Sequence, residues 1–250
     1  MYNNMMLEER LFGLIGKNIS YSFSKQYFLN KFNKENITKT RYGIFDLAYI
    51  NNFEHILRKY PNLQGVNITI PYKKEVIQYV NYLSDEAYAI SAVNTIKIKE
   101  NSLIGYNTDI FGFKKTFAKH LLSTHKKALV LGNGGAAKAV IYVLKQLKVP
   151  YLIVSRNKKG DISYKEINEI LLNQYKIIIH CTPIGTYPTT DQYPLIPYQF
   201  LTKDHYLYDL VYNPLESKFL KKGTESGAIV KNGLEMLYIQ GELGWDLWNH

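Results

Sequence analysis

Lys73 is the residue whose setting first suggests proton transfer. It lies in Val66-Asn-Ile-Thr-Ile-Pro-Tyr-Lys-Lys-Glu-Val76, where an alternating apolar run stops at Pro71 and two lysines follow. Proline has no N–H, and an N–H in the first turn of a helix would lack an intrahelical partner, so the spacing predicts a helix from Pro71 to about Leu83. Lys73 then falls in the first turn, where the positive end of the helix dipole disfavours an ammonium and burial would disfavour it further. That is the setting of a general base, and equally a place where solvated lysines stand.

A second group points to phosphate. Val130-Leu-Gly-Asn-Gly-Gly-Ala-Ala-Lys138 puts Gly132, Gly134 and Gly135 between an apolar strand and an amphipathic helix. Glycines permit a tight turn and close backbone approach to a pyrophosphate, which the helix N-terminus stabilises. Ala137 takes the last place of the usual G-x-G-x-x-G, where alanine is accepted. About twenty residues on, dinucleotide folds that use NAD carry Asp or Glu for the ribose 2′-hydroxyl. Here the strand ends Val154-Ser155-Arg156-Asn157-Lys158, with no carboxylate. Arg156 can pair with a phosphate and stack on adenine, so the sequence favours NADP.

The elements that position these residues follow from periodicity. Strands are predicted at Leu11–Ile15, Arg41–Leu47 and Gly65–Ile70, with helices at Ser24–Asn33 and Asn51–Tyr60. A hairpin of Ala92–Ile98 and Ser102–Tyr106 turns at Glu100-Asn101, and Asn107-Thr108-Asp109 opens a helix to about His120. The second half reads βαβαβ: Lys127–Gly132, Ala136–Leu147, Tyr151–Val154, Ser163–Leu172 and Lys176–His180, then strand Tyr206–Leu210 and a helix after Pro214. The fold class is α/β, with a mostly parallel sheet in each half and the hairpin as an antiparallel edge.

Composition narrows the class further. The chain has 250 residues, 46% of them apolar and 21% charged, which suits a packed core and excludes disordered and fibrous classes. No apolar run approaches the ~20 residues of a spanning helix. The start, Met1 to Gly16, lacks the pattern of a signal peptide, so a cytoplasmic protein is expected. Cys181, the one cysteine, reads as a small core residue, and the six scattered histidines show no metal-site spacing, so no metal is expected. Net charge is +10, from 31 basic and 21 acidic residues, but the lysines form no stripe interleaved with aromatics; no nucleic-acid partner is expected.

The chain resembles the shikimate dehydrogenase family, on motifs that appear in order from end to end. They are Ser22-Phe-Ser24, Asn67-Ile-Thr69-Ile-Pro71-Tyr-Lys73, Ala92-Val-Asn94-Thr95, Gly105-Tyr-Asn107-Thr108-Asp109, the glycine turn, Thr182-Pro-Ile-Gly185, Asp209-Leu-Val-Tyr212-Asn-Pro214, and Asn232-Gly233 with Met236 and Gln240. The resemblance implies NADP-dependent interconversion of 3-dehydroshikimate and shikimate, a step toward chorismate and the aromatic amino acids. It implies Lys73 and Asp109 as the catalytic pair. Substrate ligands would be Ser22, Ser24, Thr69, Asn94, Tyr212 and Gln240 together with that pair; the two serines would face one way on an extended segment. Gly132, Gly134, Gly135, Ala136, Ser155, Arg156, Asn157, Thr182, Gly233 and Met236 would hold the cofactor.

The same resemblance implies two domains: a substrate-binding domain of residues 1–108 completed by 234–250, and a Rossmann-like NADP domain of residues 109–233. The active site would lie between them and close on its ligands, in a monomer or homodimer. Leu243, Trp245, Leu247 and Trp248 would cover the front core. Gly16 to Lys25 lacks the two prolines and the histidine that the family often has there. Ser155-Arg156-Asn157 stands for N-R-T and His180-Cys181-Thr182 for N-A-T. A quinate/shikimate dehydrogenase using NAD and a non-catalytic sensor of shikimate-like acids are the other readings the pattern admits.

Overall fold

In the computed structural model, which describes residues 9–20, 22–100, 102–156 and 160–250, the described chain falls into two compact units. One comprises the residues up to Thr108 with Gly241–His250, the other Asp109–Gln240. The sequence motifs map onto both units, apart from the Glu100-Asn101 turn and Asn157, since Asn101 and Asn157 lie outside the described residues.

The first unit grows from β1 (Arg10–Gly16), whose apolar residues alternate between two cores. Ile15 joins Phe45, Phe53, Val66 and Val76 on one face, while Phe12 and Leu14 join Phe28, Phe32, Trp245 and Trp248 on the other. Following β1 are α1 (Ser24–Lys34), β2 (Thr40–Asp46), α2 (Phe53–Lys59), β3 (Leu63–Ile68), β4 (Tyr82–Leu83), α3 (Asp85–Ile90), β5 (Thr95–Lys99) and β6 (Ser102–Tyr106). They form one sheet in the order β2-β1-β3-β5-β6-β4. The first three strands are parallel, β5 and β6 form the antiparallel hairpin, and β4 pairs parallel with β6. The hairpin is therefore inside the sheet, covered by a two-residue strand too short to announce itself.

The helix expected over 71–83 does not form. The Lys73 carbonyl, which an α-helix would give to residue 77, accepts from Val93 N at 2.7 Å instead. Ile77 N turns to Lys74 O at 3.3 Å, so the segment tightens into a 3-10 helix, Glu75–Tyr79. The Tyr72 hydroxyl is also drawn away, donating to Leu47 O at 2.7 Å. Lys73 thus stands in a turn, and the dipole of an α-helix does not act on it.

Tryptophan from the C-terminal segment seals the second face of this sheet. Trp248 stacks on Phe12 with centroids 4.9 Å apart and donates Nε1–H to Ile96 O at 3.0 Å. It lies over Gly65, where an added Cβ would come within 2.3 Å of the indole. Lys31, buried in α1, pairs with Glu242 at 2.6 Å and Glu35 at 2.7 Å.

The second unit runs α4 (Asp109–Ala118), β7 (Ala128–Leu131), α5 (Gly135–Gln146), β8 (Tyr151–Val154), α6 (Glu169–Gln174), β9 (Ile177–His180), β10 (Tyr206–Asp209), α7 (Lys218–Glu225), β11 (Ile229–Lys231) and α8 (Leu234–Asn249), the last continuing into the first unit from Gly241. Its sheet is wholly parallel, in the order β11-β10-β9-β7-β8. Strands β7, β9 and β10 are buried at every residue, as continuous apolar runs covered on both faces must be. Leu129, Leu131, Ile178 and Leu207 pack with Leu172, Phe219 and Leu220. On the other side Phe117 stacks on Tyr206 and Phe113 meets Tyr208 edge-on, both from α4. The helix expected over 163–172 divides into a 3-10 turn at Tyr164–Glu166 and α6, because Ile167 is extended and Asn168 caps afresh.

Two predictions come from this packing. Gly65→Ala is expected to destabilise the protein by ~1–3 kcal/mol by overpacking, read as a lower urea midpoint; an unchanged midpoint would contradict the Trp248 contact. The second concerns pH. His125 and His205 each accept a backbone N–H at Nδ1, from Leu122 and Thr202, and donate Nε2–H to a carbonyl, Asp204 O and Leu172 O. Burial holds both rings below their ordinary value of 6.5. The unfolded chain therefore takes these protons first, and stability is complete above 6.5 and falls as pH drops through and below it. Urea midpoints should decline from about pH 7.5 to about pH 5.5, and less steeply in His205→Asn; a flat profile would refute the assignment.

Candidate active site

In the first unit the chain passes from β1 to β2 on one side and returns to β3 on the other, which opens a crevice at the carboxyl ends of β1 and β3. Of the expected ligands, Ser22, Ser24, Thr69, Lys73 and Asn94 belong to this unit, whereas Asp109, Tyr212 and Gln240 belong to the second. Asp46, ending β2, accepts from Asn18 N at 2.8 Å and Ile19 N at 3.1 Å, pinning the loop that leads to the serines. Ser22 donates to Ser24 Oγ and accepts from Ser24 N, each at 3.3 Å. The pair faces one way as expected, but the segment is not extended: Phe23 is helical and Ser24 opens α1.

Thr69 follows β3, its N–H given to Ile15 O at 2.9 Å. Its methyl lies where a Cβ on Gly16 would be, 2.6 Å away, so only glycine lets the loops after β1 and β3 approach this closely. Lys73 is half-buried while Lys74 beside it is exposed. Through its carbonyl bond to Val93 N, Lys73 is tied next to Asn94, which is 2% exposed. The Asn94 amide accepts from Thr108 N at 2.7 Å and donates to Thr108 Oγ1 at 2.9 Å.

Asn107, buried at 1% exposure, gives Nδ2–H to Ala92 O at 3.0 Å, and its Oδ1 has no hydrogen-bond partner among the described residues. Reversing this amide would set two acceptors against each other, so the acceptor stays where it is. It belongs to the Gly105–Asp109 motif, yet nothing in sequence marked it as the member left unsatisfied.

In the second unit the crevice falls between β7 and β9, where the chain reverses after β8. Gly132 has φ +110°, a conformation side chains resist, and a Cβ there would come 2.7 Å from the Thr182 methyl. Gly134 caps α5 without a side chain, and a Cβ on it would meet nothing within 4 Å. Gly135 and Ala136 form the first turn of that helix, whose backbone N–H groups suit an anion. Ser155 is buried just past the end of β8 and Arg156 beside it is exposed. The next carboxylate, Asp161, turns back to accept from Ile153 N at 2.8 Å.

The remaining expected residues lie along the same unit. Asp109, 6% exposed, starts α4, where the dipole favours a carboxylate. Gly233 closes on Leu210, whose carbonyl oxygen would be 2.3 Å from a Cβ there. Met236 is buried in α8, and Gln240 donates to Leu237 O at 2.9 Å. Tyr212 is half-buried; the neighbouring Asn213 carbonyl holds Tyr187 N at 3.0 Å, joining the loops after β9 and β10.

Sequence reasoning quoted His180 and Asp209 only as motif positions without a role and did not consider Ser217; the three form a paired polar group beneath Thr182. A signal was present: buried strands Ile177–His180 and Tyr206–Asp209 both end in a polar residue that burial obliges to find a partner. Cys181, expected as a core residue, is half-buried; desolvation and the Asp209 charge push its thiol above the ordinary value. Among the described residues no cluster of His, Cys, Asp and Glu is arranged to hold a metal, and no helix is long and apolar enough to cross a membrane.

Comparison with known proteins finds relatives of the chain in one family. A family model described as the shikimate dehydrogenase substrate binding domain matches residues 14–96. A shikimate dehydrogenase (NADP(+)) of Clostridium botulinum (strain Hall) is 40% identical over 248 residues, covering 94% of this chain and 95% of its own. Among solved structures, shikimate dehydrogenase 1 from Peptoclostridium difficile aligns with a TM-score of 0.84 at 33% identity, over 96% of this chain and 92% of its own. A shikimate 5-dehydrogenase from Thermus thermophilus, solved with NADP(H) and shikimate, gives 0.83 at 26% identity, over 96% and 93%.

The two glycines of the turn should respond differently to a methyl group. Gly132→Ala is expected to cost ~1–3 kcal/mol through backbone strain and the Thr182 contact, whereas Gly134→Ala should stay within about 0.5 kcal/mol. Urea unfolding of both variants checks this; equal effects would contradict the turn geometry.

Proposed function

The chain belongs to the shikimate dehydrogenase family, and from that premise we propose that it interconverts 3-dehydroshikimate and shikimate with NADP(H), using Lys73 and Asp109 as its catalytic pair. The observation that most supports the reading is the carboxyl edge of the first sheet, where a half-buried lysine is tied next to a buried asparagine among serine and threonine hydroxyls. A hydroxylated ring acid needs such neutral donors and acceptors around it, and one group able to exchange a proton.

In this assignment Ser22 and Ser24 hydrogen-bond the substrate carboxylate, with Tyr212 and Gln240 completing its surroundings. Thr69 and Asn94 hold ring hydroxyls. Lys73 Nζ gives a proton to the ketone oxygen during reduction and takes it back during oxidation. Asp109 orients that ammonium and the hydroxyl beside it.

The residues of the second unit fit the dinucleotide. Gly134 offers the N-terminus of α5 no side-chain cap and the space around it is open, which suits a pyrophosphate at Gly134, Gly135 and Ala136. Arg156 and Ser155 suit a 2′-phosphate, since the nearby Asp161 carboxylate is engaged by a backbone amide. Thr182, Gly233 and Met236 would flank the nicotinamide, and Asn157 is assigned to the phosphate from sequence alone. When bound, NADP(H) supplies the hydride chemistry that no side chain can. The protein would work in the cytoplasm, as a monomer or homodimer.

One assay tests the reading. Purified protein with shikimate should reduce NADP, followed by absorbance of the reduced cofactor, and reduce NAD more slowly. Lys73→Ala should lower kcat by ~10²–10⁴, the usual worth of a general acid–base, and leave the NADP Kd within about twofold. Full activity in that variant, or equal loss of turnover and NADP affinity, would overturn the assignment of Lys73.

A further inference from the structure

The carboxyl ends of β9 and β10 hold a polar group that the proposed chemistry leaves unused. His180 and Asp209 are register partners on these parallel strands, and both are fully buried. Asp209 accepts three hydrogen bonds: Oδ1 from His180 Nδ1 at 2.9 Å and from Val211 N at 3.0 Å, Oδ2 from the Ser217 hydroxyl at 2.5 Å. Ser217 in turn accepts from Leu220 N at the start of α7, so its one proton goes to Asp209. A carboxylate only accepts, which places a hydrogen on Nδ1 of His180.

The other ring nitrogen reaches the glycine turn. His180 Nε2 lies 2.5 Å from Thr182 Oγ1, which also accepts from Ile184 N at 3.3 Å. Held from both sides, the hydroxyl cannot rotate, and the methyl is left facing Gly132, 2.7 Å from where a Cβ would stand. An apolar pair would fill this interior at no greater cost, as Leu131 and Leu207 do nearby, since two buried polar groups return only what their hydrogen bonds offset. Stability alone therefore does not account for a histidine and an aspartate here.

We propose that the Asp209–His180 pair is a positioning device: it fixes Thr182, and through the Thr182 methyl the shape of the Gly132 turn, for the dinucleotide that α5 receives. The inference rests on the NADP reading above. His180 acts through Thr182 and touches no ligand.

The test is calorimetric titration of NADP into the full-length protein without shikimate, so that turnover is not needed. His180→Phe keeps a ring and removes its hydrogen bonds; Thr182→Val keeps the shape and removes the hydroxyl. Each is expected to raise the NADP Kd about tenfold, and the double variant no more than the worse single, because both break one linkage. In His180→Phe, whose residue touches no ligand, the shikimate KM should stay within about twofold, a split that general loosening of the fold would not give. Singles that bind NADP as tightly as the wild type, or effects that multiply in the double, overturn the proposal.

Should His180→Phe fail to fold, the Thr182 variants decide. Thr182→Ser keeps the anchor but loses the methyl, so it must weaken NADP as Thr182→Val does; wild-type affinity in either overturns the linkage. A wild type that binds no NADP overturns both this inference and the functional reading beneath it, whereas a wild type that binds it beside unaffected variants overturns the positioning alone.

Discussion

A buried hydrogen-bond chain across the first sheet is the constraint on which its working edge depends. The Tyr42 hydroxyl donates to Asn67 Oδ1 at 2.7 Å, Asn67 Nδ2 to Thr95 Oγ1 at 3.2 Å, and Thr95 Oγ1 to Asn94 Oδ1 at 3.2 Å. Asn94 then clasps Thr108 by both its backbone and its hydroxyl. Such a chain is tolerable inside a core only when each member is paired, and leaving one buried partner unsatisfied costs ~1–3 kcal/mol. Its directionality also forbids the Asn94 amide from flipping, because Nδ2 would then face Thr108 N. The residue before Asp109 is thereby anchored to the strand that Asn94 leads into, by bonds that begin three strands away at Tyr42.

Both sheets reach their crevices by the same local device. In each, the first strand runs into a glycine, Gly16 or Gly132, and a threonine from the loop across the crevice, Thr69 or Thr182, lays its methyl where a Cβ would be. The backbones after the two strands can then come close, which narrows the opening and aims the loops outward. The two sites differ in what steadies the threonine. Thr69 is fixed by its backbone bond to Ile15, whereas Thr182 is held through its side chain by a buried ring.

Much of this was legible in the residues. Alternation along Leu11–Ile15 and the unbroken apolar runs at Ala128–Leu131 and Ile177–Ile179 are direct marks of strands covered on two faces, and the glycine turn carried its own geometry. The failures share one cause. Lys73 lost its expected helix to a bond with Val93, about twenty residues away in sequence and invisible to any local pattern. Strand β4 exists because β6 offers it an edge, and its two residues carry no period. His180 and Asp209 stood in separate motifs, and only register set them side by side. Local propensity reads what a segment does alone; these positions are decided by a partner.

The first unit needs Trp248 against Gly65 and Phe12, yet residues 241–250 are synthesised after everything in 109–240. During translation residues 9–108 thus lack the roof for one face of their sheet until residues 241–250 have been made. Domains generally mature in the order of synthesis. Here the first unit's second core, with Phe12 and Phe28, is completed only when Trp245 and Trp248 have been added.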